Sequence, residues 1–293
     1  MYVDSDSTDG SVDRAREAGL PVVALDPKLP LSAARARNAG FAYLTSGEDA
    51  PEWIQFVDGD CELETAWLEG GVEALQSRAG SVLVFGRLTE RDANANVYSR
   101  LSAQEWSKPL GAGVSCGGVF LVEASAFRAV DGFREEIRAG EEGDLCLRLR
   151  RNGGETWSLE DPMATHDMGT VHFSQWWRRM VRAGSAYAHS LSREGFAPDV
   201  SHRRLASALF WSWGWLGLVG VGALAGPLGA GVAFALLPLQ VARVAWRRHR
   251  GGSRPGDALE YAAWIALAKF AEGWGAVRFL LSGPGRGASG RSG

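Results

Sequence analysis

The chain has 293 residues, of which 46% are hydrophobic and 22% are charged, so it can bury a sizeable core and is too long for one minimal domain. Its net charge of -3 is unevenly spread, because acids dominate through Asp161 whereas arginines dominate residues 178–254. The basic half predicts an anionic partner, either a membrane or phosphate. The three cysteines have no C-x-x-C spacing, which argues against a disulfide framework or a zinc knuckle and favours a reducing compartment.

Short apolar runs alternate with helical stretches up to about residue 175, a pattern typical of an α/β domain with a mostly parallel sheet. The predicted strands are residues 21–25, 53–57, 81–86, 118–122 and 155–159, and the predicted helices are residues 11–18, 32–43 and 142–151. Repeated crossover units of this kind are Rossmann-like. Ligands of such sheets bind at the carboxyl ends of the strands, where several polar sequences fall.

A long apolar run follows. Residues 205–242 carry no formal charge, and these 38 residues would form roughly 57 Å of helix, nearly twice a bilayer core. Gly226-Pro227 breaks the run near its middle, which predicts a transmembrane helical hairpin over residues 205–246. Arginines on both flanks place its ends in the cytoplasm. Four tryptophans towards its ends favour a membrane over a buried soluble hairpin: Trp211, Trp213, Trp215 and Trp246.

Three further segments flank the hairpin. Residues 191–204 are predicted to form a basic juxtamembrane linker, and residues 282–293 a disordered tail. Residues 258–281 are apolar but contain four charged side chains, namely Glu260, Lys269, Glu272 and Arg278. They therefore fit an interfacial amphipathic helix better than a third membrane span. No signal peptide is expected after Met1, so the first domain is expected on the cytosolic side of the cytoplasmic membrane.

Acidic groups follow two of the predicted strands. Asp58-Gly59-Asp60 ends an apolar strand, and hard divalent cations bound to a diphosphate prefer such oxygen ligands. An acidic turn, residues 4–11, follows the first strand and leads into a helix. A third cluster, Glu141-Glu142-Gly143-Asp144, opens the helix near residue 142. Acids at a helix start also interact favourably with the helix dipole, which is the simpler interpretation of that cluster.

These three motifs, in this order and spacing, resemble family 2 glycosyltransferases of the GT-A fold. The resemblance covers about residues 1–190 and includes the D-x-D motif at Asp58 and Asp60. It implies a metal-dependent transferase that uses a nucleotide-diphosphate sugar, with Mn²⁺ or Mg²⁺ as cofactor. It also implies that Gly117 and Gly118 belong to a segment whose backbone approaches the sugar.

The resemblance further implies a role for each acid. Asp4 would contact the base, with Ser7 in the same turn, Asp58 would contact the ribose, and Asp60 would bind the metal ion. Glu142 stands at the general-base position, where the family usually has aspartate. This departure leaves Glu141 and Asp144 open as alternative catalytic residues, because an inverting transfer needs one carboxylate to take the acceptor proton.

Other polar residues have weaker assignments. His166, expected in a loop after the strand at residues 155–159, occupies a position where some family members have a second metal ligand. Gln175 and Arg178 resemble part of the Q-x-x-R-W signature, in a segment that would equally suit an amphipathic interface helix. Arg37 and Asn38 match an arginine–asparagine pair that would meet the diphosphate, although a solvated helix face explains them equally well.

The sequence thus predicts an inverting glycosyltransferase at the cytoplasmic membrane face, acting on a hydroxyl acceptor, a lipid-linked one included, in cell-surface polysaccharide or glycolipid synthesis. The alternative is a membrane-tethered nucleotide-binding module without transfer, and a third reading is a membrane scaffold. No nucleic-acid partner is expected, because the basic residues cluster beside apolar helices.

A first strand is expected to be missing. Family 2 enzymes have a hydrophobic strand before the one that ends near Asp4, whereas this chain begins within the latter. We therefore expect a gap between the strand at Tyr2-Val3 and the strand ending at Asp58. Unpaired backbone groups in that gap would make the chain unstable or inactive unless the upstream strand is restored.

Overall fold

The computed structural model describes residues 1–106, 109–113, 115–137, 139–194 and 200–283. The chain divides into two compact units, Met1–Gly169 and Thr170–Gly293. We call them unit 1 and unit 2. The predicted disordered tail lies outside the described residues from position 284 onward.

Unit 1 is an α/β unit that contains every predicted strand and helix of this region. Its strands are β1 Tyr2–Asp4, β2 Val22–Ala24, β3 Trp53–Phe56, β4 Cys61–Leu63, β5 Ser81–Glu90, β6 Gly111–Ala112, β7 Phe120–Glu123 and β8 Glu155–His166. Its helices are α1 Ser11–Glu17, α2 Ala33–Leu44, α3 Trp67–Ser77, α4 Val97–Trp106, α5 Ala124–Ala129 and α6 Glu141–Arg151. One expectation was wrong: His166 is not in a loop, because β8 continues to it by pairing with both β4 and β5.

The strands form two sheets. One pairs β1 with β2 in parallel, and the other has the order β3-β7-β5-β8-β4 with β6 also paired to β8. The ladder between β5 and β8 is parallel, whereas β7, β4 and β6 each run antiparallel to their neighbours. In the described part of the chain, β1 and β3 belong to different sheets.

The core of unit 1 lies between the larger sheet and its helices. Four phenylalanine rings form its centre, with centroids 4.9–6.0 Å apart: Phe56, Phe120, Phe127 and Phe133. They come from β3, β7, α5 and the loop after α5, so their burial fixes the end of β3 relative to the loop that leads to α6. This packing positions the acids that follow β3 and those that open α6.

Unit 2 is entirely helical in its described residues. Its helices are α7 Phe173–Glu194, α8 Val200–Leu209, a π-helical turn Phe210–Gly214, α9 Trp215–Leu224, α10 Pro227–Arg250 and α11 Pro255–Ser282. The π turn joins α8 and α9 into one continuous helix, and the chain reverses at Gly226-Pro227, as predicted. Pro227 suits the first turn of α10 because the amide hydrogen that proline lacks would have no partner there.

Small residues let these helices approach closely. A Cβ atom at Gly222 or Gly229 would collide with the facing helix backbone, and Gly184 and Gly275 play the same role between α7 and α11. The hydroxyl of Ser185 adds a hydrogen bond to the Gly275 carbonyl at 3.0 Å. Close contacts through glycine and hydroxyl groups are typical of helices that pack within lipid.

Two helices are long and apolar enough to cross a membrane by length and composition: His202–Leu224 and Pro227–Arg250. Only 22% and 6% of their apolar windows are buried, whereas the core helix of a soluble protein would be mostly buried. Trp213 and Trp246 are exposed, as an interfacial position requires. Trp215 is instead 8% exposed and donates a hydrogen bond to the Ala233 carbonyl, because it packs between α9 and α10.

The observed segments differ from the predicted ones at several boundaries. Unit 1 ends at Gly169 rather than near residue 190, because α7 packs against α11 in unit 2. The predicted linker at residues 191–204 is helical in its described parts, since α7 reaches Glu194 and α8 begins at Val200. The predicted interfacial helix, residues 258–281, lies within α11 and is not one of the two helices that qualify as spans.

Candidate active site

The acidic turn after β3 lies between two strands. Phe56 is buried and ends β3, so Asp58 and Asp60 follow at the carboxyl end of the strand. The amide of Cys61 then donates to the Asp58 carbonyl at 3.0 Å, which closes the turn and begins β4. Asp60 therefore stands between a core strand and a strand that pairs with β8.

One arginine connects the acids of two distant motifs. The Arg37 guanidinium, on α2, lies 2.7 Å from Oδ1 of Asp58, 3.2 Å from Oε1 of Glu141 and 3.3 Å from Oε1 of Glu142. Its side chain is 11% exposed and lies over the ring of Phe133. Burial opposes its charge, but Glu142 and Asp58 more than offset that effect and raise the pKa of Arg37. Three carboxylates around one cation leave an excess of negative charge at this end of the sheet.

Gly118 makes room for this cluster. A Cβ atom there would collide with the carboxylate of Asp58 and with the guanidinium of Arg37. The neighbouring Gly117 has a positive φ of 79°, a conformation that glycine adopts without steric cost. The sequence predicted that these two glycines let backbone approach a sugar, and in the structure Gly118 lets backbone approach Asp58.

The three acids that open α6 have different surroundings. Gly140 begins the helix with a φ of 83°, and the side chains of Glu141 and Glu142 both reach Arg37. Asp144 points elsewhere, because it forms ion pairs with Arg134 at 2.9 Å and Arg148 at 2.7 Å. Asp144 thus holds α6 against the loop after α5, and its carboxylate is already occupied.

Glu141 and Glu142 also differ from each other in burial. The Glu141 side chain is 9% exposed, whereas that of Glu142 is 17% exposed. Burial, reinforced by the neighbouring charge of Glu142, raises the pKa of Glu141 to about 7, although Arg37 acts in the opposite direction. Glu141 therefore keeps its proton to a higher pH than an exposed glutamate does.

This shift predicts a pH-dependent stability difference. Glu141 binds its proton more tightly in the folded chain than at its ordinary pKa of 4.5, so the free energy of unfolding falls as pH rises from about 4.5 to about 7. Glu141→Gln has no proton to lose, and it is expected to gain roughly 1 to 3 kcal/mol relative to wild type between pH 5 and pH 8.

The measurement is the thermal unfolding midpoint at both pH values in the same detergent. Glu48→Gln, which changes an exposed glutamate of unit 1, serves as the control and should follow wild type. Parallel midpoints for Glu141→Gln and wild type across this pH range would contradict the assignment of a buried, protonatable Glu141.

His166 lies at the end of β8 between two acids. Nε2 is 3.4 Å from Oδ2 of Asp60, and Nδ1 is 3.1 Å from Oε2 of Glu90. Burial opposes protonation of the ring, but hydrogen bonds with Asp60 and Glu90 raise the pKa of His166 overall. The hydrogen bond with His166 also lowers the pKa of Asp60. A carboxylate only accepts hydrogen bonds, so the protonated ring donates from Nδ1 to Glu90 and from Nε2 to Asp60.

Glu90 is held in place by two further donors. Its Oε1 accepts from the backbone amide of Met168 at 2.9 Å, and its Oε2 accepts from the indole of Trp106 at 3.3 Å. The Glu90 side chain is 3% exposed. Because Glu90 and His166 are register partners on β5 and β8, the sheet itself brings the carboxylate to the imidazole.

The donor atoms for a metal ion come from Asp60, Cys61 and His166. One ligand atom of each lies within 4.8 Å of the other two. An adjoining cavity of about 40 Å³ is lined by Asp58, Cys61, Trp106, Gly117, Gly118 and His166 among others. This volume suits a water molecule or an ion and is too small for a nucleotide. Burial, with Asp60 adding to it, raises the pKa of the Cys61 thiol to about 12.

Three other predicted residues of unit 1 have local roles in the structure. The buried carboxylate of Asp4 accepts from the backbone amides of Asp6 and Ser7, so it shapes the turn after β1, and the side chain of Ser7 is exposed. The side-chain amide of Asn38 donates to the Phe133 carbonyl at 2.8 Å and accepts from the Phe133 backbone amide at 2.9 Å. Asn38 therefore anchors the loop that leads to α6, next to Arg37.

Gln175 and Arg178 belong to α7 in unit 2. The side-chain oxygen of Gln175 accepts from the backbone amides of Val171 and His172, which satisfies donors at the start of the helix. Arg178 is exposed. Neither observation tests their predicted contact with the nucleotide sugar.

Sequence reasoning missed Glu90 and Cys61. The strand at residues 81–86 was predicted to end before Glu90, so no pattern placed that acid at a strand terminus. Cys61 directly follows Asp60, and its adjacency to the D-x-D motif was the available signal. Its convergence with His166 depends on the pairing of β4 with β8.

Comparisons with known proteins bear on the family and the fold of the chain. Residues 1–123 match the family model described as Glycosyl transferase family 2. This part of the chain is similar to family 2 glycosyltransferases. The matched residues include Asp4, Asp58 and Asp60, whereas the acids of α6 and His166 lie beyond them. The prediction of a glycosyltransferase from the sequence is therefore confirmed.

One solved structure supports the fold assignment of the whole chain, and a second is less similar. A mannosyltransferase from Pyrobaculum calidifontis, PcManGT, in complex with GDP-Man and Mn²⁺, superposes with a TM-score of 0.57 at 19% identity, covering 90% of this chain and 76% of that one. The chain thus has a GT-A-like α/β fold, as predicted. Glucosyl-3-phosphoglycerate synthase from Mycobacterium tuberculosis superposes with a TM-score of 0.45 at 18% identity, covering 68% and 69% of the two chains. No curated protein sequence matches the chain.

Proposed function

We propose that this glycosyltransferase moves a sugar from a nucleotide-diphosphate donor to a hydroxyl acceptor with inversion of the anomeric centre, at the cytoplasmic face of a membrane. The observation that carries the proposal is the Arg37 cluster. It joins an acid of the D-x-D motif to two acids of α6 that lie more than 80 residues further along the chain.

The cluster supplies the two functions that an inverting transfer requires. Glu142 is the more accessible of the two glutamates at Arg37, so it is assigned as the base. It accepts the hydroxyl proton of the acceptor while the new bond from that oxygen to the anomeric carbon forms and the bond from that carbon to the diphosphate breaks. Arg37 forms an ion pair with Glu142 and adds positive charge near the leaving diphosphate.

The residues present fit a divalent metal ion. Asp60 supplies an oxygen and His166 a nitrogen, at a separation of 3.4 Å that one ion can bridge. A bound Mn²⁺ or Mg²⁺ would neutralise charge that develops on the leaving diphosphate. Glu90 holds Nδ1 of His166, which would leave Nε2 for a bound ion, as carboxylate partners of metal-bound histidines commonly do.

The direct test measures release of nucleoside diphosphate by the full chain in detergent with Mn²⁺. GDP-mannose is the first donor to try, because PcManGT was determined with it, followed by a panel of other nucleotide sugars. Release above background with one donor, lost in EDTA, supports the proposal. Donor binding without release from any donor would favour the nucleotide-binding module instead. Failure of every donor to bind would overturn both.

The membrane assignment is part of the proposal and predicts resistance to extraction. Wild-type chain is expected to stay with membranes in an alkaline wash, because α9 and α10 present their apolar side chains outward. The double variant Leu216→Arg/Phe234→Arg places two charges near mid-span at residues 46% and 60% exposed. Each arginine costs about 2.5 to 3.5 kcal/mol there, so the variant is expected to shift into the supernatant.

Leu68→Arg is the matched control, because Leu68 is 48% exposed on α3 of unit 1. It is expected to remain with membranes as wild type does. Recovery of the wild-type chain in the alkaline supernatant would contradict an integral hairpin.

A further inference from the structure

Cys61 lies beside the two residues assigned to the metal ion. It begins β4, and its register partner on the neighbouring antiparallel strand is His166. Residues directly opposite each other in such a pair project from the same face of the sheet. Both line the small cavity, and the Cys61 thiol donates to Oδ1 of Asp60 at 3.6 Å. A sulfur, a nitrogen and an oxygen atom therefore lie within 4.8 Å of one another.

We propose that Asp60, Cys61 and His166 form a binding site for a thiophilic divalent cation such as Zn²⁺, with the Cys61 thiolate as one ligand. The occupant differs from the hard cation that supports transfer, and it competes with that cation because two of the ligands are shared. The binding site itself stands on the geometry alone. The inhibitory consequence rests on the proposed transferase function.

The distances fit a tetrahedral ion. Zinc bonds of about 2.0 to 2.3 Å hold nitrogen, oxygen and sulfur ligands roughly 3.3 to 3.6 Å apart. Asp60 is 3.4 Å from His166 and 3.6 Å from Cys61, although these contacts use different oxygens of the carboxylate. All three donor atoms lie within 4.8 Å of one another, so the widest pair needs to close by at most about 1.5 Å.

The donor set favours a soft ion over a hard one. Thiolate ligands select softer metals such as zinc, whereas Mg²⁺ and Mn²⁺ prefer oxygen ligands. Binding forms a sulfur–metal bond and releases the thiol proton to solvent. The Glu90 carboxylate already holds Nδ1 of His166. A carboxylate at this position is a usual hydrogen-bond partner of a zinc-bound imidazole. A water molecule or a donor phosphate would complete the four ligands.

Co²⁺ is the probe, because cobalt bound to a thiolate has a sulfur-to-metal charge-transfer absorption in the near ultraviolet. The full chain in detergent is titrated with Co²⁺ in the absence of nucleotide. Wild type and Cys116→Ala are expected to show the band, and Cys61→Ser is expected to lose it. Cys116→Ala is the matched control, because Cys116 lines the same cavity but lies outside the group of three donors.

Zn²⁺ affinity is then measured by competition with a chromophoric chelator. Cys61→Ser is expected to bind Zn²⁺ roughly tenfold more weakly or worse, because a hydroxyl replaces a soft ligand. Far-ultraviolet circular dichroism establishes that the variant is folded. A band that persists in Cys61→Ser, or equal Zn²⁺ affinity in folded Cys61→Ser and wild type, would overturn the proposal.

Activity separates this inference from the proposed function. Zn²⁺ added to the Mn²⁺-supported reaction is expected to inhibit wild type at lower concentration than Cys61→Ser, each compared with its own uninhibited rate. Transfer without a cobalt band would refute the zinc site and leave the transferase standing. A cobalt band in a chain that releases no nucleoside diphosphate would refute the transferase and leave the zinc site standing.

Discussion

Asp60→Asn is expected to reduce metal-dependent release of nucleoside diphosphate by roughly 100-fold or more. Asparagine keeps the size of the side chain but removes the charge that would bind the cation next to His166. The leaving diphosphate then loses the charge neutralisation that a metal ion supplies, which is worth several kcal/mol. The side chain of Asp60 is 52% exposed, so the substitution is expected to leave the fold intact.

The measurement compares turnover at saturating donor over a range of Mn²⁺ concentrations. Asp49→Asn, which alters an exposed acid of unit 1, is the control and should retain wild-type turnover. EDTA should reduce the turnover of the wild-type chain to that of Asp60→Asn. Full activity of the wild-type chain in EDTA would refute metal dependence. Full activity of Asp60→Asn with metal present would refute Asp60 as a ligand.

Glu142→Gln is expected to lower turnover by roughly 100-fold or more with little change in donor affinity. Glutamine keeps the shape and a hydrogen-bond acceptor, but it cannot take the proton of the acceptor hydroxyl. Arg37 retains Asp58 and Glu141 as partners, so the cluster should persist. Turnover and donor binding are measured separately, the latter in the absence of acceptor.

Glu141→Gln is the matched control, because it makes the same chemical change in the preceding residue, which also pairs with Arg37. It is expected to retain most of the turnover. Asp144→Asn is expected to lower stability, because Arg134 and Arg148 lose their shared partner. If Glu141→Gln or Asp144→Asn abolished turnover while Glu142→Gln did not, the assignment of the base would be wrong.

The Arg37 cluster shows why the acids were easier to predict than the cation between them. Asp58 and Glu142 stand in motifs with a recognisable order along the chain, whereas Arg37 lies on a helix that could equally have been a solvated face. Only the packing of α2 near the end of β3 and the start of α6 makes this arginine 11% exposed and joins it to three carboxylates.

The amino-acid sequence by itself determined the α/β periodicity, the acids at strand ends and the break at Gly226-Pro227, because each depends on residues close together in the chain. The order of the three acidic motifs along the chain was enough to predict a glycosyltransferase. The tertiary structure alone decided which acids meet. Strand pairing placed Cys61 and Glu90 on either side of His166, and ion pairs removed Asp144 from the cluster at Arg37. These contacts depend on strand register and on packing between distant segments of the chain. Neither can be predicted from a local sequence pattern.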